Sequence, residues 1–276
     1  MLDLWLKEAQ IDDVALTYKI EKTLIRKQTK YQDLAIVETK RFGRMLLLDG
    51  IVQTTIMDEF IYHEMITHIP LFAHKNPKRV LVVGGGDGGA VREILKHSNI
   101  DKVVLCEIDE DVIKYSKEFL PEISCALDNP KCEIFIGDGL NYVIEHKNEF
   151  DVIVVDSTDP FSVGENLFGG SFYKAIFECL KEDGIFIAQT ETPFLLPDLV
   201  KKIYKDVEIA FPIAKIFLAG IPTYPTGFWS FTVGSKKYDP SKFSKSEVPF
   251  PTKYYNKELH EACFVLPQYI KDLINK

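Results

Sequence analysis

A short apolar run, Val80-Leu81-Val82-Val83, passes directly into Gly84-Gly85-Gly86-Asp87-Gly88-Gly89 and then into a helical stretch. Strand, glycine turn and helix in that order open a nucleoside-binding α/β unit. The glycines admit unusual backbone angles and let the main chain approach a ligand at the strand's carboxyl end. A glycine turn alone also serves plain sterics, so its surroundings decide. Apolar runs recur at Arg79–Val83, Val103–Glu107, Glu133–Gly137, Val152–Asp156 and Ile185–Thr190, with later ones near Ile216–Ala219 and Phe228–Gly234. They are short, rich in β-branched residues and almost continuously apolar, the pattern of a parallel sheet covered on both faces. Helical stretches at Gly88–His97, Glu110–Leu120 and Tyr173–Leu180 lie between them. The alternation predicts a Rossmann-like, doubly wound α/β domain over residues 61–276.

Residues 1–60 follow a different rule. Polar and apolar residues alternate in Leu16-Thr17-Tyr18-Lys19-Ile20-Glu21, and Asp49-Gly50 separates Met45–Leu48 from Ile51-Val52, a strong hairpin signal. This predicts a small antiparallel β domain, too small to bury much core by itself and therefore packed on the rest or on another subunit. The Lys- and Ser-rich segment Lys236–Lys245 reads as a surface loop before a short terminal helix.

With 46% hydrophobic and 27% charged residues the chain can bury a core. Its formal charge of −8 argues against a nucleic-acid or anionic-membrane binder, which wants a basic face. The start, MLDLWLKEAQIDD, lacks the pattern of a signal peptide, and no apolar run reaches the length of a membrane span. The five cysteines form no CxxC pair, and no histidine pairs with one at ligand spacing. The expectation is a cytoplasmic protein with reduced thiols and no metal.

Chemistry concentrates at the carboxyl ends of the expected strands. Asp87 sits in the glycine turn, Glu107 ends the second strand, Asp138 follows the third, and Asp156 and Asp159 follow the fourth. In an open parallel sheet these ends line one crevice. An acidic residue about 20 positions after the turn suits ribose hydroxyls. The turn carries no basic residue, and Asp87 would repel a pyrophosphate, so a nucleoside bearing a cation fits better. Asp at strand ends often caps the next helix instead, but capping alone poorly explains five. Clustered carboxylates raise one another's pKa unless cations are supplied.

Six stretches in register along nearly the whole chain extend this reading: Tyr31-Gln32, Leu48-Asp49-Gly50 with Gln53, Asp58 to Glu64 (DEFIYHE), GGGDGG at 84–89, Asp156-Ser157-Thr158-Asp159-Pro160, and Pro222 to Gly227 (PTYPTG). Together they resemble the polyamine aminopropyltransferases, most closely the bacterial spermidine synthases. The resemblance implies a small N-terminal β domain on a methyltransferase-type Rossmann-like sheet, and assembly into a homodimer or homotetramer through residues 1–60. It implies transfer of an aminopropyl group from decarboxylated S-adenosylmethionine, a co-substrate rather than a cofactor, to putrescine.

By the same resemblance, Asp156 is the proton acceptor and Tyr62 aims the attacking nitrogen. Asp87 pairs with the donor's ammonium, Glu107 takes the ribose, Asp138 with Gly139 takes the adenine amine, and Gln32 makes a further nucleoside contact. Gln53, His63, Ser157, Thr158, Asp159, Gln189 and Tyr224 face the amine substrate. Residues 161–170 read as a lid, in which Ser162-Val163 stand where many bacterial members have Gly-Pro. Alternatives are a sister enzyme using agmatine, cadaverine or spermidine, an S-adenosylmethionine methyltransferase, and a non-catalytic binder. Asp87 counts against the methyltransferase, whose ligand carries a carboxylate, and a pure binder has no need of a base at Asp156.

Overall fold

The computed structural model describes residues 3–157 and 169–275. Two antiparallel units come first. A hairpin pairs β1 (Leu4–Ile11) with β2 (Val14–Ile20), and a four-stranded meander follows: β3 (Lys22–Gln28), β4 (Asp33–Thr39), β5 (Gly43–Leu48) and β6 (Ile51–Thr55). Asp49 and Gly50 turn β5 into β6 with φ of 51° and 81°, the left-handed pair that the hairpin signal requires. Alternation along β4 and β5 gives the meander two apolar faces. Leu34, Ile36, Leu46 and Leu48 pack on Val112, Leu120 and Ile123 of the larger unit. Val37, Met45 and Leu47 pack beneath Tyr18 of the hairpin. The small domain thus borrows its core, as its length demands.

The rest is a seven-stranded sheet, β12-β13-β11-β10-β7-β8-β9. Its strands are β7 (Arg79–Gly84), β8 (Lys102–Glu107), β9 (Cys132–Ile136), β10 (Phe150–Asp156), β11 (Leu180–Gln189), β12 (Ile213–Gly220) and β13 (Phe228–Ser235). The expected wholly parallel sheet needs one correction: β13 runs antiparallel to both β11 and β12. The turn 221–227 is too short for a crossover and can only return the chain beside its predecessor in the opposite sense.

Successive residues of the central strands feed opposite faces. Val80, Val82, Val152 and Val154 face α1 (Glu59–Ala73) and α2 (Gly89–Ile94). Leu81, Val83, Ile153 and Val155 face α5 (Gly139–Glu145), α6 (Gly170–Cys179) and α7 (Pro197–Ala210). α3 (Glu110–Phe119) and α4 (Pro121–Ser124) link β8 to β9. The chain ends in two helices rather than the one expected, α8 (Lys257–Ala262) and α9 (Gln268–Asn275). Among the described residues no helix is long and apolar enough to cross a membrane.

α1 escaped the sequence reading because every residue from Ile61 to Ala73 is buried, which erases the one-sided apolar stripe that marks a surface helix. Its polar members are held individually. Glu64 accepts from the backbone N–H groups of Lys253, Tyr254 and Tyr255, each at 2.8 Å, and so ties the C-terminal segment to the helix. Asp58, just before α1, accepts from the backbone N–H and hydroxyl of Thr223 at 2.9 and 2.7 Å. Two of the sequence stretches, DEFIYHE and PTYPTG, are therefore partners in space.

Candidate active site

The strand order reverses between β7 and β10, and such a switch point opens a crevice at the strands' carboxyl ends. Asp156 lies in register with Gly84 across this pair. A cleft of about 1270 Å³, part of it open to solvent, begins there. The turn is tight enough that a Cβ on Gly85, whose φ is +73°, would lie 2.6 Å from Asp156 Oδ2. Glycine at 85 is what lets Asp156 approach the turn.

Four of the five expected carboxylates line this cleft: Asp87, Glu107, Asp138 and Asp156. Asp159, Thr158 and residues 161–168 of the expected lid, Ser162-Val163 included, lie outside the described residues. Asp87 accepts from Gly89 N–H through Oδ1 at 2.8 Å. Asp138 caps α5, accepting from Leu140 N–H at 2.7 Å and Asn141 N–H at 3.3 Å through the same Oδ1. Capping and ligand recognition are thus compatible in one carboxylate, since each has a second oxygen. Gly139, at the first turn of α5, lines the cleft beside it.

Glu107 accepts from Gly86 N–H at 3.0 Å and Asp109 N–H at 2.9 Å. Burial pushes its carboxyl up to about 7, against the pull of those two amides. Asp156 accepts from the Tyr62 hydroxyl at 2.7 Å. Burial and then the charge of Asp87 push Asp156 up to about 6, while His63 and Tyr62 pull the other way. Burial beside Asp156 also holds the Tyr62 phenol well above its ordinary range, so it stays a donor at neutral pH.

His63 lies between two carboxylates, with Nδ1 2.6 Å from Glu59 Oε2 and Nε2 3.4 Å from Asp87 Oδ2. Burial opposes a charge on the ring, but Asp87 and Glu59 outweigh it and hold His63 well above the usual histidine range. The ligand atoms of His63, Asp87 and Asp156 lie within 4.8 Å of one another, so two carboxylates and the charged ring converge on one point of the cleft.

The remaining sequence candidates form the cleft's walls. Gln32 lines it, with its amide nitrogen donating to Asp109 Oδ2 at 2.9 Å. Tyr224 packs on Tyr62 and Trp229 and donates to the Gln53 carbonyl at 2.7 Å. Gln189 donates to the Ser157 carbonyl at 3.3 Å and accepts from Glu191 N–H at 3.1 Å. All four side chains, with Ser157, border the cavity.

Sequence reasoning missed Glu8 and Gln10 on β1, which also line the cleft. Glu8 is 2% exposed and accepts from Val52 N–H at 2.9 Å. Its only sequence signal is strand alternation, which looks like an ordinary solvent face. Glu59 and Arg92 were missed as well, although Glu59 precedes His63 by one helical turn.

The comparisons with known proteins agree with this geometry. Residues 59–245 match the family model described as the spermine/spermidine synthase domain, and residues 4–55 that of the spermidine synthase tetramerisation domain. The chain is 68% identical over 273 residues to the polyamine aminopropyltransferase of Clostridium kluyveri, covering 99% of both chains. To that of Clostridium tetani it is 66% identical over 275 residues, 99% of this chain and 98% of the other. A crystal structure of spermidine synthase in complex with the transition-state analogue AdoDATO superposes with a TM-score of 0.94 at 43% identity, covering 99% of this chain and 95% of that one. Spermidine synthase from Thermotoga maritima gives 0.91 at 42%, covering 99% and 94%.

Proposed function

The chain belongs to the spermine/spermidine synthase family and is an aminopropyl-transferring enzyme, and from that premise we propose that it carries the aminopropyl group of decarboxylated S-adenosylmethionine to putrescine. The products are spermidine and methylthioadenosine. The observation that carries this reading is the Tyr62–Asp156 pair, partly buried at the switch point with an Asp156 carboxyl poised near 6.

A primary alkylamine is protonated at neutral pH, and its nitrogen has no lone pair to offer until a base removes the proton. Asp156 takes that proton, and Tyr62 holds the carboxylate in place. The freed lone pair attacks the aminopropyl carbon bonded to sulfur, the C–N bond forms, and the C–S pair returns to sulfur. The sulfonium thereby becomes the neutral thioether of methylthioadenosine. No redox partner is needed, and the donor is consumed as a co-substrate. A general base contributes roughly 10²–10⁴-fold, and alignment of nitrogen, carbon and sulfur supplies much of the remainder.

Asp87 takes the donor's ammonium, Glu107 the ribose hydroxyls, and Asp138 with Gly139 and Gln32 the nucleoside. Gln53, Ser157, Gln189 and Tyr224 line the acceptor's path, and buried Glu8 supplies charge for its distal ammonium. Removal of the donor's carboxylate matters here: intact S-adenosylmethionine would set an anion against Asp87. The test is to supply purified protein with decarboxylated S-adenosylmethionine and, separately, putrescine, cadaverine, agmatine and spermidine. Putrescine should give the highest kcat/KM, and a higher value for another amine would overturn the acceptor assignment.

A further inference from the structure

We propose that His63 is a charge-exchange residue, an imidazolium that stands against Asp87 in the empty site and gives up its Nε2 proton when the donor's ammonium takes that place, with Glu59 and Arg92 as the positioning residues that hold its Nδ1 proton. The inference rests on the donor reading above and concerns how that donor enters.

The geometry demands two protons on the ring. Both nitrogens face carboxylate oxygens, Glu59 at 2.6 Å and Asp87 at 3.4 Å. A neutral imidazole would set a lone pair against one of them. The ring has no freedom to turn away, because it lies flat against the start of α2: a Cβ on Gly89 would sit 2.2 Å from its Cε1. The upward shift of the ring's pKa has this same origin.

The two contacts are unequal. Glu59 Oε2 also accepts from Arg92 Nη2 at 2.7 Å. Arg92 is fixed through its other nitrogens by Glu93 Oε1 at 2.9 Å and the Glu122 carbonyl at 3.0 Å. Burial disfavours the Glu59 charge, but His63 and Arg92 hold its carboxyl down to about 2. The Nδ1 side is therefore permanent. The Nε2 side is the longer contact and opens into the cleft beside Asp156.

Charge bookkeeping favours exchange. At about pH 7.5 in the empty site Asp87, Glu59 and Asp156 carry −1 each, His63 and Arg92 carry +1 each, and Glu93 is balanced by Lys96, so the sum is −1. The donor's sulfonium and ammonium together add +2, which would leave a buried surplus of +1 if His63 stayed charged, and burying unbalanced charge is costly. Loss of the Nε2 proton to solvent brings the sum to zero. It also turns that nitrogen into an acceptor for one ammonium N–H, while Nδ1–H stays on Glu59. The other charged or titratable groups facing the ring are Asp156 on β10 and Tyr62 on α1; Tyr62 already carries its proton, and Asp156 could take the released one only by ceasing to be the base.

Calorimetric titration in buffers of different ionisation enthalpy counts the protons released, at about pH 7.5, where Asp156 is already ionised. Decarboxylated S-adenosylmethionine should release close to one more proton per site than methylthioadenosine, which lacks both the ammonium and the sulfonium charge. That difference cancels any proton moved by Glu107. His63→Gln should abolish the excess. Glu59→Gln, which removes one of the two anions holding the proton, should cut it by half or more while methylthioadenosine binds as before. Donor binding to the wild type with no excess release would overturn the exchange and leave the donor reading intact. Failure of the donor to bind at all would overturn both.

Discussion

The Tyr62 hydroxyl meets Asp156 Oδ1 at 2.7 Å across 94 positions of sequence. The other oxygen, Oδ2, is buried with no hydrogen-bond partner among the described residues. A buried carboxylate oxygen left unpaired is costly unless a ligand completes it. One oxygen is thus fixed by the protein, and the other is open to the substrate proposed above.

Asp156→Asn follows directly. The amide keeps the Tyr62 contact through its carbonyl but cannot take a proton, so kcat should fall by about 10²–10⁴-fold. Methylthioadenosine affinity should change less than about threefold, since Asp156 stands apart from the proposed nucleoside contacts. Near-normal turnover would remove Asp156 from the mechanism.

The same carboxyl sets a pH dependence in two measurements. The base must be ionised, so kcat should fall as pH drops through about 6. Tyr62→Phe removes a hydrogen bond to the ionised form and should move that limb to higher pH. Stability runs the opposite way. The folded carboxyl, near 6, binds its proton more tightly than the unfolded one, near 3.8. Ionisation therefore costs stability, beginning near the lower value and complete above the higher. Above pH 6 the ligand-free Asp156→Asn protein should be more stable than wild type by up to about 3 kcal/mol. A lower Tm for this variant at pH 7.5 would contradict the argument.

How much of this was legible beforehand depends on whether a residue's role is local. The glycine turn, Glu107 and Asp156 could be placed because each sits at the end of an apolar strand, and strand ends of a parallel sheet share one side. Glu8 could not, because its burial depends on the β1–β2 hairpin folding over the cleft, a tertiary event that alternation does not encode. α1 was hidden for the converse reason: burial on all sides leaves no period to read. Glu59 and Arg92 are paired across two helices, and only the structure brings them to His63. The reversed direction of β13 was readable in principle, from the shortness of the turn before it.

Asp87→Asn separates charge recognition from turn geometry. Asparagine can still accept from Gly89 N–H, so the turn should hold. Decarboxylated S-adenosylmethionine should lose about 1.5–3 kcal/mol, the worth of a charged hydrogen bond, which is roughly 10- to 150-fold in Kd. Methylthioadenosine should lose less than about twofold. Equal losses by calorimetry would show that Asp87 shapes the turn and does not read the ammonium.

The ribose role proposed for Glu107 makes nucleoside binding sensitive to pH. Its carboxyl is raised to about 7 by burial, and ribose hydroxyls need the ionised form as acceptor. Methylthioadenosine affinity should therefore weaken as pH falls from 8 to 6, by close to tenfold for full protonation across one unit below the pKa. Glu107→Gln should bind weakly and almost uniformly over that range. An unchanged slope in the variant would assign the titration to another group.

The last expectation concerns assembly. Leu4 and Trp5 on β1 are 60% and 58% exposed, and residues 4–55 match the tetramerisation-domain model. An isolated surface leucine is ordinary, but Leu4 and Trp5 are successive strand residues that point to opposite faces, so the terminal hairpin carries exposed apolar surface on both sides. Pairing these hairpins between copies would cover it, so light scattering at micromolar concentration should give at least twice the chain mass of 31.6 kDa. Trp5→Glu would bury a charge at such a contact and should shift the population to smaller species. Tyr62, Asp87, Glu107 and Asp156 meet in one cleft within a single chain, so the smaller species should keep kcat within about tenfold of wild type. A full-length protein that is monomeric from the outset would overturn the assembly and leave the chemistry untouched.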